Sequence, residues 1–256
     1  PKRLTVSAAG GSLDARPFLK SDEDEDTAAT EPDDTHLTLT LRNIERLRFG
    51  DESYLENGHL ELERVKEGWR RFLLRGRIPK QLRSSVVDGQ ERSPDVEVSY
   101  APATDGRQVL EMAAADAGGL FRSLDFFDTM DGGVLRINGS REEIARTNPL
   151  RGNIEIKDFK LIDAPVLAKL LTVASLTGIV NVLSGEGIEF KRAKGDFEAI
   201  EGRISSDLLR IYGSALGLTA QGSVDIDQNL ADLRGTVVPA YAVNQVLGAI
   251  PLLGDI

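Results

Sequence analysis

Few residues in this chain have the types and spacing that catalysis requires. Asp225 and Asp227 alternate along one predicted strand, so their carboxylates share a face and could hold a cation or act as an acid–base pair. The two histidines, His36 and His59, each lie among polar strand residues. The chain has no cysteine, no GxSxG or HExxH motif, no P-loop, and no GxGxxG between a strand and a helix. We therefore expect a protein that is not an enzyme, that holds no metal or cofactor, and whose two aspartates face solvent.

The charge of the chain is concentrated in one segment. The net charge is −10, and Ser21–Asp34 (SDEDEDTAATEPDD) contains eight acidic residues and no basic one, so the remainder is nearly neutral. This composition predicts a disordered acidic loop over residues 21–34, with a weak Ca²⁺ site as the alternative. The rest of the chain has no basic stripe of the kind that nucleic acid requires, so we expect no nucleic-acid partner.

Alternation of apolar and polar residues dominates the sequence and predicts β-strands. In His36–Leu47, Leu37, Leu39 and Leu41 fall on one face, with threonine and arginine between them. The same alternation predicts further strands: Gly58–Arg64, Trp69–Arg77, Val96–Tyr100, Gly133–Asn138, Gly152–Phe159, Gly187–Lys191, Gly195–Ile200, Gly202–Ser206, Leu208–Tyr212, Leu216–Ile226 and Leu230–Val238.

The connections between these strands are short, which favours a meander of hairpins. Glu56-Asn57-Gly58, Gly132-Gly133, Asn138-Gly139 and Asp227-Gln228-Asn229 have the composition of tight turns. An open sheet of more than roughly ten strands tends to curl. We therefore expect a mainly β fold: a long, curled antiparallel sheet forming an open, taco-like β-groove, with one or two amphipathic or apolar helices packed at the groove.

Two segments have helical periodicity. The first, Asp116–Met130, has Asp116 as a candidate N-cap and places Leu120, Leu124 and Phe127 along one side. The second covers residues 164–184 and is apolar around most of its circumference, which predicts burial on several sides. It is about long enough to cross a bilayer, but polar residues such as Lys169 and Asn181 interrupt it. We expect it either to plug or gate the groove or to pack as ordinary core, through Leu167, Leu170, Leu171, Ala174 and Val182.

Long stretches of the second half resemble a known family. DAGGLFRSLDFFDTMDGGVLRINGS, the stretch from Leu150 to Phe197, and LGLTAQGSVDIDQNLADLRGTVVPAYAVNQVLGAIPLLGD resemble the C-terminal region of AsmA-like proteins of the YhdP type. The N-terminal part resembles them more loosely, through Gly11–Pro17 and the strands around Trp69. The acidic segment Ser21–Asp34 departs from the family pattern.

The resemblance implies a segment of a bacterial envelope protein. Proteins of this family are built from repeated β-groove units that bridge the periplasm and conduct lipid, and an N-terminal helix anchors them in the inner membrane. It therefore implies a periplasmic location, a bound phospholipid whose acyl chains lie in the groove, and an anchor outside this chain, which begins like the interior of a longer protein. The division implied is a β-groove segment over residues 1–115 and an AsmA-like C-terminal groove segment over residues 116–256.

The candidate site is accordingly an apolar face. Its expected lining consists of Leu37, Leu39, Leu41, Leu60, Leu62, Val96, Val98, Leu135, Ile137, Ile154, Ile156, Ile188, Phe190, Leu218, Val224, Ile226 and Val237. The alternative is that these residues form the core of a closed sandwich. A C-terminal segment after Pro239 could meet a membrane or a partner through Tyr241, Val246, Leu247, Ile250, Leu252 and Leu253.

Two functions remain open from the sequence. The first is transport of phospholipid between the inner and outer membranes along a continuous hydrophobic groove, which needs no catalytic residue. The second is a non-conducting scaffold for outer-membrane assembly and integrity, with the apolar face packed internally. The identity of the lipid, the direction and energy source of transport, and the partners at either membrane are not specified by the sequence.

Overall fold

Strands dominate the computed structural model, which describes residues 2–16, 35–66, 68–85, 95–142, 144, 147–163, 168–169, 187–226, 228 and 230–239. Thirteen strands form one sheet. Their bounds are β1 Lys2–Ala9, β2 Ser12–Asp14, β3 Thr35–Arg48, β4 Tyr54–Val65, β5 Gly68–Arg77, β6 Val96–Pro102, β7 Gln108–Ala114, β8 Met130–Arg141, β9 Leu150–Leu161, β10 Ile188–Ile200, β11 Arg203–Gly213, β12 Leu216–Asp225 and β13 Leu230–Pro239.

The expected fold class is confirmed, since the described residues form a mainly β fold with one long, open meander. From β3 to β13 every strand pairs antiparallel with the next one in the chain. The exceptions are β1 and β2, which both pair parallel with β3 at different points along its length. Because the pairing order ends at β1 and at β13, the described sheet does not close on itself.

Three of the four predicted turns lie inside strands. Asn57 has φ 51° within β4, and Gly132 and Gly133 have φ 71° and 96° within β8. Residues that tolerate positive φ make bulges as readily as turns, and a bulge bends a strand without reversing it. Asn138-Gly139 also continues β8, paired with Gly152 and Asn153 of β9. The prediction of turns at these three places was wrong.

Bulges also explain why two pairs of predicted strands are single strands. Gly187–Lys191 and Gly195–Ile200 both fall in β10, whose ladder to β11 shifts register between Gly195 and Glu198. The two segments predicted on either side of Asp207 fall in β11. Strands β1, β2 and β7 were not predicted.

The first predicted helix is confirmed at its start and is shorter than expected. Helix α1 covers Ala117–Ser123, and the Asp116 side chain accepts a hydrogen bond from the Gly119 amide. The helix ends because Asp125 has a positive φ of 59°, and β8 begins at Met130. Phe127 therefore lies beyond the helix with 39% of its surface exposed.

The second predicted helix lies almost entirely outside the described residues. This applies to its five candidate plug residues, Leu167, Leu170, Leu171, Ala174 and Val182. The acidic segment 21–34 and the C-terminal segment from Tyr241 to Leu253 also lie outside the described part of the chain. The sheet continues across position 115, where β7 pairs with β8.

Candidate functional site

The face of the sheet that carries the buried apolar side chains is called the inner face. On this face, apolar side chains that are paired across neighbouring strands form three rows, each of which crosses the strands. The ladders define each row, because residues directly opposite on neighbouring strands project to the same side. Together the three rows form what is called the apolar trough. The central row is Leu41, Leu60, Leu74, Val98, Met112, Ile137 and Ile154; the helix-side row is Val96, Ala114, Leu135, Ile156, Ala193, Ile211, Leu218 and Val237; the Trp69-side row is Leu39, Leu62, Phe72, Tyr100 and Leu110.

The rows are long enough to accommodate an acyl chain. The central row crosses seven strands and the helix-side row crosses eight. With neighbouring strands about 4.8 Å apart, each row extends about 30 Å. One leaflet of a bilayer has a hydrocarbon depth of about 15 Å. Either row is therefore longer than a single lipid tail.

Burial varies along the trough. The part of the trough on β3 and β4 is buried, since four of its side chains are each 1% exposed: Leu39, Leu41, Leu60 and Leu62. Further along, the central row is partly accessible to solvent, at Val98, Met112, Ile137 and Ile154. Strands β11 to β13 are the most open part, since Ile204, Val224 and Leu233 on the same face are 39%, 38% and 57% exposed.

The opposite, outer face is polar and carries ion pairs between strands. Arg75 on β5 pairs with Glu97 on β6 at 2.6 Å, and Arg192 on β10 pairs with Glu155 on β9 at 3.2 Å. These residues alternate along their strands with residues of the trough. The sheet therefore has one face suited to water and one suited to hydrocarbon, as a single-layered groove requires.

The strand ends form two rims, and α1 covers one of them, which is called the helix rim. Asp116 is 4% exposed, and besides capping α1 it accepts hydrogen bonds from the Ser84 amide at 2.8 Å and the Ser84 hydroxyl at 2.6 Å. Arg122 of α1 donates to the Leu82 carbonyl at 3.0 Å and to the Ser84 hydroxyl at 2.9 Å. The helix is thus fastened to the segment that follows β5.

A second buried carboxylate completes this fastening. Asp131 accepts hydrogen bonds from the Ser85 amide at 3.0 Å and the Ser85 hydroxyl at 2.5 Å. Burial raises the pKa of Asp131, but hydrogen bonds from Ser85 and Ser84 and the charge of Arg122 outweigh it, so the pKa lies below its usual value. A carboxylate with a lowered pKa is a weak base, and no histidine lies beside these serines among the described contacts. The cluster is therefore structural in character.

The rim at the other ends of the strands, called the Trp69 rim, has a cavity of about 330 Å³. The described residues in its walls are mostly apolar, and they include the Arg141 guanidinium and the Tyr100 phenol. Burial raises the pKa of the Tyr100 phenol, while the charge of Arg141 acts in the opposite direction. The cavity opens beside the Trp69-side row and is lined by Trp69, Phe72, Tyr100, Leu110, Arg141, Ile144 and Leu150.

The structure brings sixteen of the seventeen expected lining residues to one face. Ladder register places most of them in the three rows, Leu37 continues the alternation of β3, and Val224 continues that of β12. The remaining residue, Ile226, lies in a turn just beyond β12 and is 55% exposed. Ile188 and Phe190 lie on this face near α1, each 1% exposed. Sequence analysis missed Leu110 and Met112 because β7 was not predicted, although their alternation in QVLEMAA was a usable signal.

The candidate polar residues make ordinary surface contacts. His36 bonds to Glu63 at 3.1 Å and His59 to Glu61 at 3.0 Å. Asp225 lies 3.6 Å from the Arg203 guanidinium, and Asp227 is outside the described residues. No three acidic or histidine side chains in the described ranges are grouped so as to hold a metal ion.

Comparison with known proteins identifies no relative. The chain matches no family model, no curated protein and no solved structure. Within the described residues, no helix combines the length and the apolar character needed to span a membrane.

Proposed function

We propose that this chain is a segment of a bridge-like lipid-transfer protein that shields phospholipid acyl chains in the apolar trough. The observation that carries the proposal is the continuity of the rows across strands of a single-layered sheet, with partly accessible side chains at Val98, Met112, Ile137 and Ile154. Accessible apolar residues in a connected strip are uncommon on a water-soluble surface and indicate an apolar ligand or partner.

The energetics of lipid movement favour such a surface. A tail of about 16 carbons gains about 12 kcal/mol on full removal from water, at about 0.8 kcal/mol for each methylene. A row of similar side chains keeps this gain nearly constant as the tail moves from one strand to the next. Movement then needs no catalytic residue, and a head group at the rim stays in water.

The proposed setting is the bacterial periplasm, between the inner and outer membranes. The resemblance to AsmA-like proteins supports this setting. The polar outer face, with ion pairs such as Arg75–Glu97, suits an aqueous compartment.

Photo-crosslinking at two adjacent positions tests the proposal directly. Ile137 lies in the central row, and Arg136 on the same strand points to the outer face. A photoreactive residue at position 137 should capture phospholipid in bacterial cells, and one at position 136 should not. Mass spectrometry of the purified adducts measures both. Equal capture at the two positions, or none at either, would contradict an open trough.

A pair of charge substitutions separates the trough from ordinary core. Ile154→Asp, at a partly accessible position, should leave the fold standing and reduce bound phospholipid at least tenfold. Leu135→Asp, at a position that is 0% exposed, should unfold the protein, because a buried unpaired carboxylate is very costly. Circular dichroism and lipid extraction report the two effects. If Ile154→Asp unfolds the protein as readily as Leu135→Asp, the face is a closed core.

The alternative is a non-conducting scaffold for outer-membrane assembly and integrity. The observation that favours it is the 1% exposure of Leu39, Leu41, Leu60 and Leu62, which leaves no room for a ligand at β3 and β4. A lipid-free, stable protein that captures nothing at position 137 would support this second function.

A further inference from the structure

We propose that Arg141 and Gln108 form a head-group site for an anionic amphiphile at the Trp69 rim. This inference rests on the proposed function, because the tail of the same molecule would lie in the trough. It specifies the chemical class of the ligand, which is a lipid whose head group contains a phosphate. It also places that phosphate at the Trp69 rim.

Register places the two residues together on the inner face. Gln108 of β7 is directly opposite Arg141 of β8, two residue pairs beyond the pair formed by Leu110 and Gly139. Residues opposite each other on antiparallel strands have Cβ atoms about 5 Å apart. Since Leu110 belongs to the Trp69-side row, the pair marks the point where the apolar surface ends and a polar group begins.

Each of the two side chains has a buried polar atom without a hydrogen-bond partner in the part of the chain that the structure describes. These atoms are Nε of Arg141 and Oε1 of Gln108, whose residue is only 2% exposed. Buried polar atoms in proteins are almost always satisfied, and an unsatisfied one is costly. A donor and an acceptor left open on adjacent strands are therefore a ready-made site for a ligand that carries both.

The surroundings of Arg141 select the kind of ligand. The neighbouring cavity of about 330 Å³ is lined by aromatic and aliphatic side chains, and among the described residues that line it Arg141 is the one that is basic. The phenol of Tyr100 in the same wall is half-buried, and this burial raises its pKa. A guanidinium at the end of an apolar cavity favours an anionic head group on an apolar tail, since the planar donors match phosphate oxygens. The Gln108 oxygen can accept a hydrogen bond from a hydroxyl or ammonium group of the same head.

The single tryptophan of the chain supplies the measurement. Trp69 lines this cavity, so its fluorescence reports on occupancy. The probes are dodecyl phosphate and dodecyl maltoside, each brominated on the tail so that contact quenches the indole, and both used below micelle formation. We expect dodecyl phosphate to bind the wild-type chain at least tenfold more tightly, a difference of about 1.4 kcal/mol.

Two arginine variants on one strand localise the preference. Arg141→Gln should abolish the tenfold preference while dodecyl maltoside still quenches. Arg136→Gln on the outer face of β8 removes the same charge and should keep the preference. Circular dichroism checks that both variants fold; if Arg141→Gln does not, Arg141→Lys, which lacks the Nε donor, should reduce the preference without abolishing it.

The outcomes separate this inference from the proposed function. Equal quenching by both probes in the wild-type chain would overturn the head-group site and leave the trough intact. Absence of quenching by either probe would overturn both. Displacement of dodecyl phosphate by an equal concentration of inorganic phosphate would show a site for free anions and would also overturn the inference.

Discussion

Phe159 and Phe190 stack across β9 and β10 with ring centroids 5.4 Å apart and an interplanar angle of 21°. Both are almost fully buried, at 4% and 1% exposure, and they lie where α1 meets the sheet. A Cβ atom at Gly133 would come within 3.1 Å of the Phe159 Cβ and within 3.3 Å of the Ala117 Cβ of α1. The stacked pair and Gly133 therefore fix how closely α1 approaches the helix rim.

Truncation of either ring should destabilise the fold. Phe159→Ala and Phe190→Ala should each reduce the free energy of unfolding by about 3–5 kcal/mol, because each leaves a cavity in a packed region. The double variant should show a coupling of about 0.5–1.5 kcal/mol from the lost stacking. Urea denaturation measures all three. The control is Phe126→Ala, whose ring is 75% exposed and whose loss should cost at most about 0.5 kcal/mol.

Removal of the N-cap should loosen the helix rim. Asp116→Ala deletes the acceptor of three hydrogen bonds, from the Gly119 amide and from the amide and hydroxyl of Ser84. We expect a loss of about 2–4 kcal/mol in the free energy of unfolding, since buried donors are left unsatisfied. Hydrogen exchange should accelerate in α1 before it does in β3 and β4. Asp128→Ala, at an exposed position, is the matched control. An equal effect of the two variants would show that the Asp116 side chain does not hold α1 at the helix rim.

The fold could be predicted from the sequence wherever the alternation of apolar and polar residues matches the two faces of the sheet. Leu37, Leu39 and Leu41 alternate with polar residues, and that period of two assigns both strand and face. The turns were mispredicted because Asn57 and Gly132 have the chemistry of turns and of bulges alike. Local sequence cannot distinguish the two, since the difference depends on whether the chain finds a partner strand beyond the kink.

A second glycine position tests the register that the sequence could not specify. A Cβ atom at Gly152 of β9 would fall against the carbonyl oxygen of Asn138 on β8, whereas one at Gly217 of β12 would lie 3.7 Å from the Val238 carbonyl oxygen. Gly152→Ala should therefore destabilise the protein by about 1–3 kcal/mol through overpacking. Gly217→Ala should change the free energy of unfolding by no more than about 0.5 kcal/mol. Thermal denaturation compares them, and equal midpoints would contradict the β8–β9 register.

The candidate site was predictable as a face and not as a set of contacts. Alternation alone groups Ile137 with Leu135 and Ile154 with Ile156 on one side of their strands. The pairing of Gln108 with Arg141 depends on the register of two strands separated by α1, and no local pattern encodes that register. The polar end of the trough therefore became visible only with the folded chain.

Acid should weaken the helix rim through Asp131. Its pKa is lower in the folded chain than the usual value of an aspartate, so the folded state favours the ionised form. The resulting stabilisation is fully present above the unfolded pKa and is lost as pH falls through the folded pKa. The free energy of unfolding should accordingly decline below about pH 4. Urea denaturation between pH 2 and pH 7 measures the decline.

Two variants assign that decline to Asp131. Asp131→Asn should reduce the decline in the free energy of unfolding at low pH. Ser85→Ala should reduce this decline in part, because the Ser85 hydroxyl donates to the carboxylate at 2.5 Å. Arg107 lowers the pKa of Asp105, and Arg16 lowers that of Asp14, but all four side chains are well exposed and salt should screen them. The part of this decline that remains in high salt should therefore be absent in Asp131→Asn. If Asp131→Asn loses as much stability at low pH as the wild-type chain does, the Asp131 carboxylate does not stabilise the helix rim.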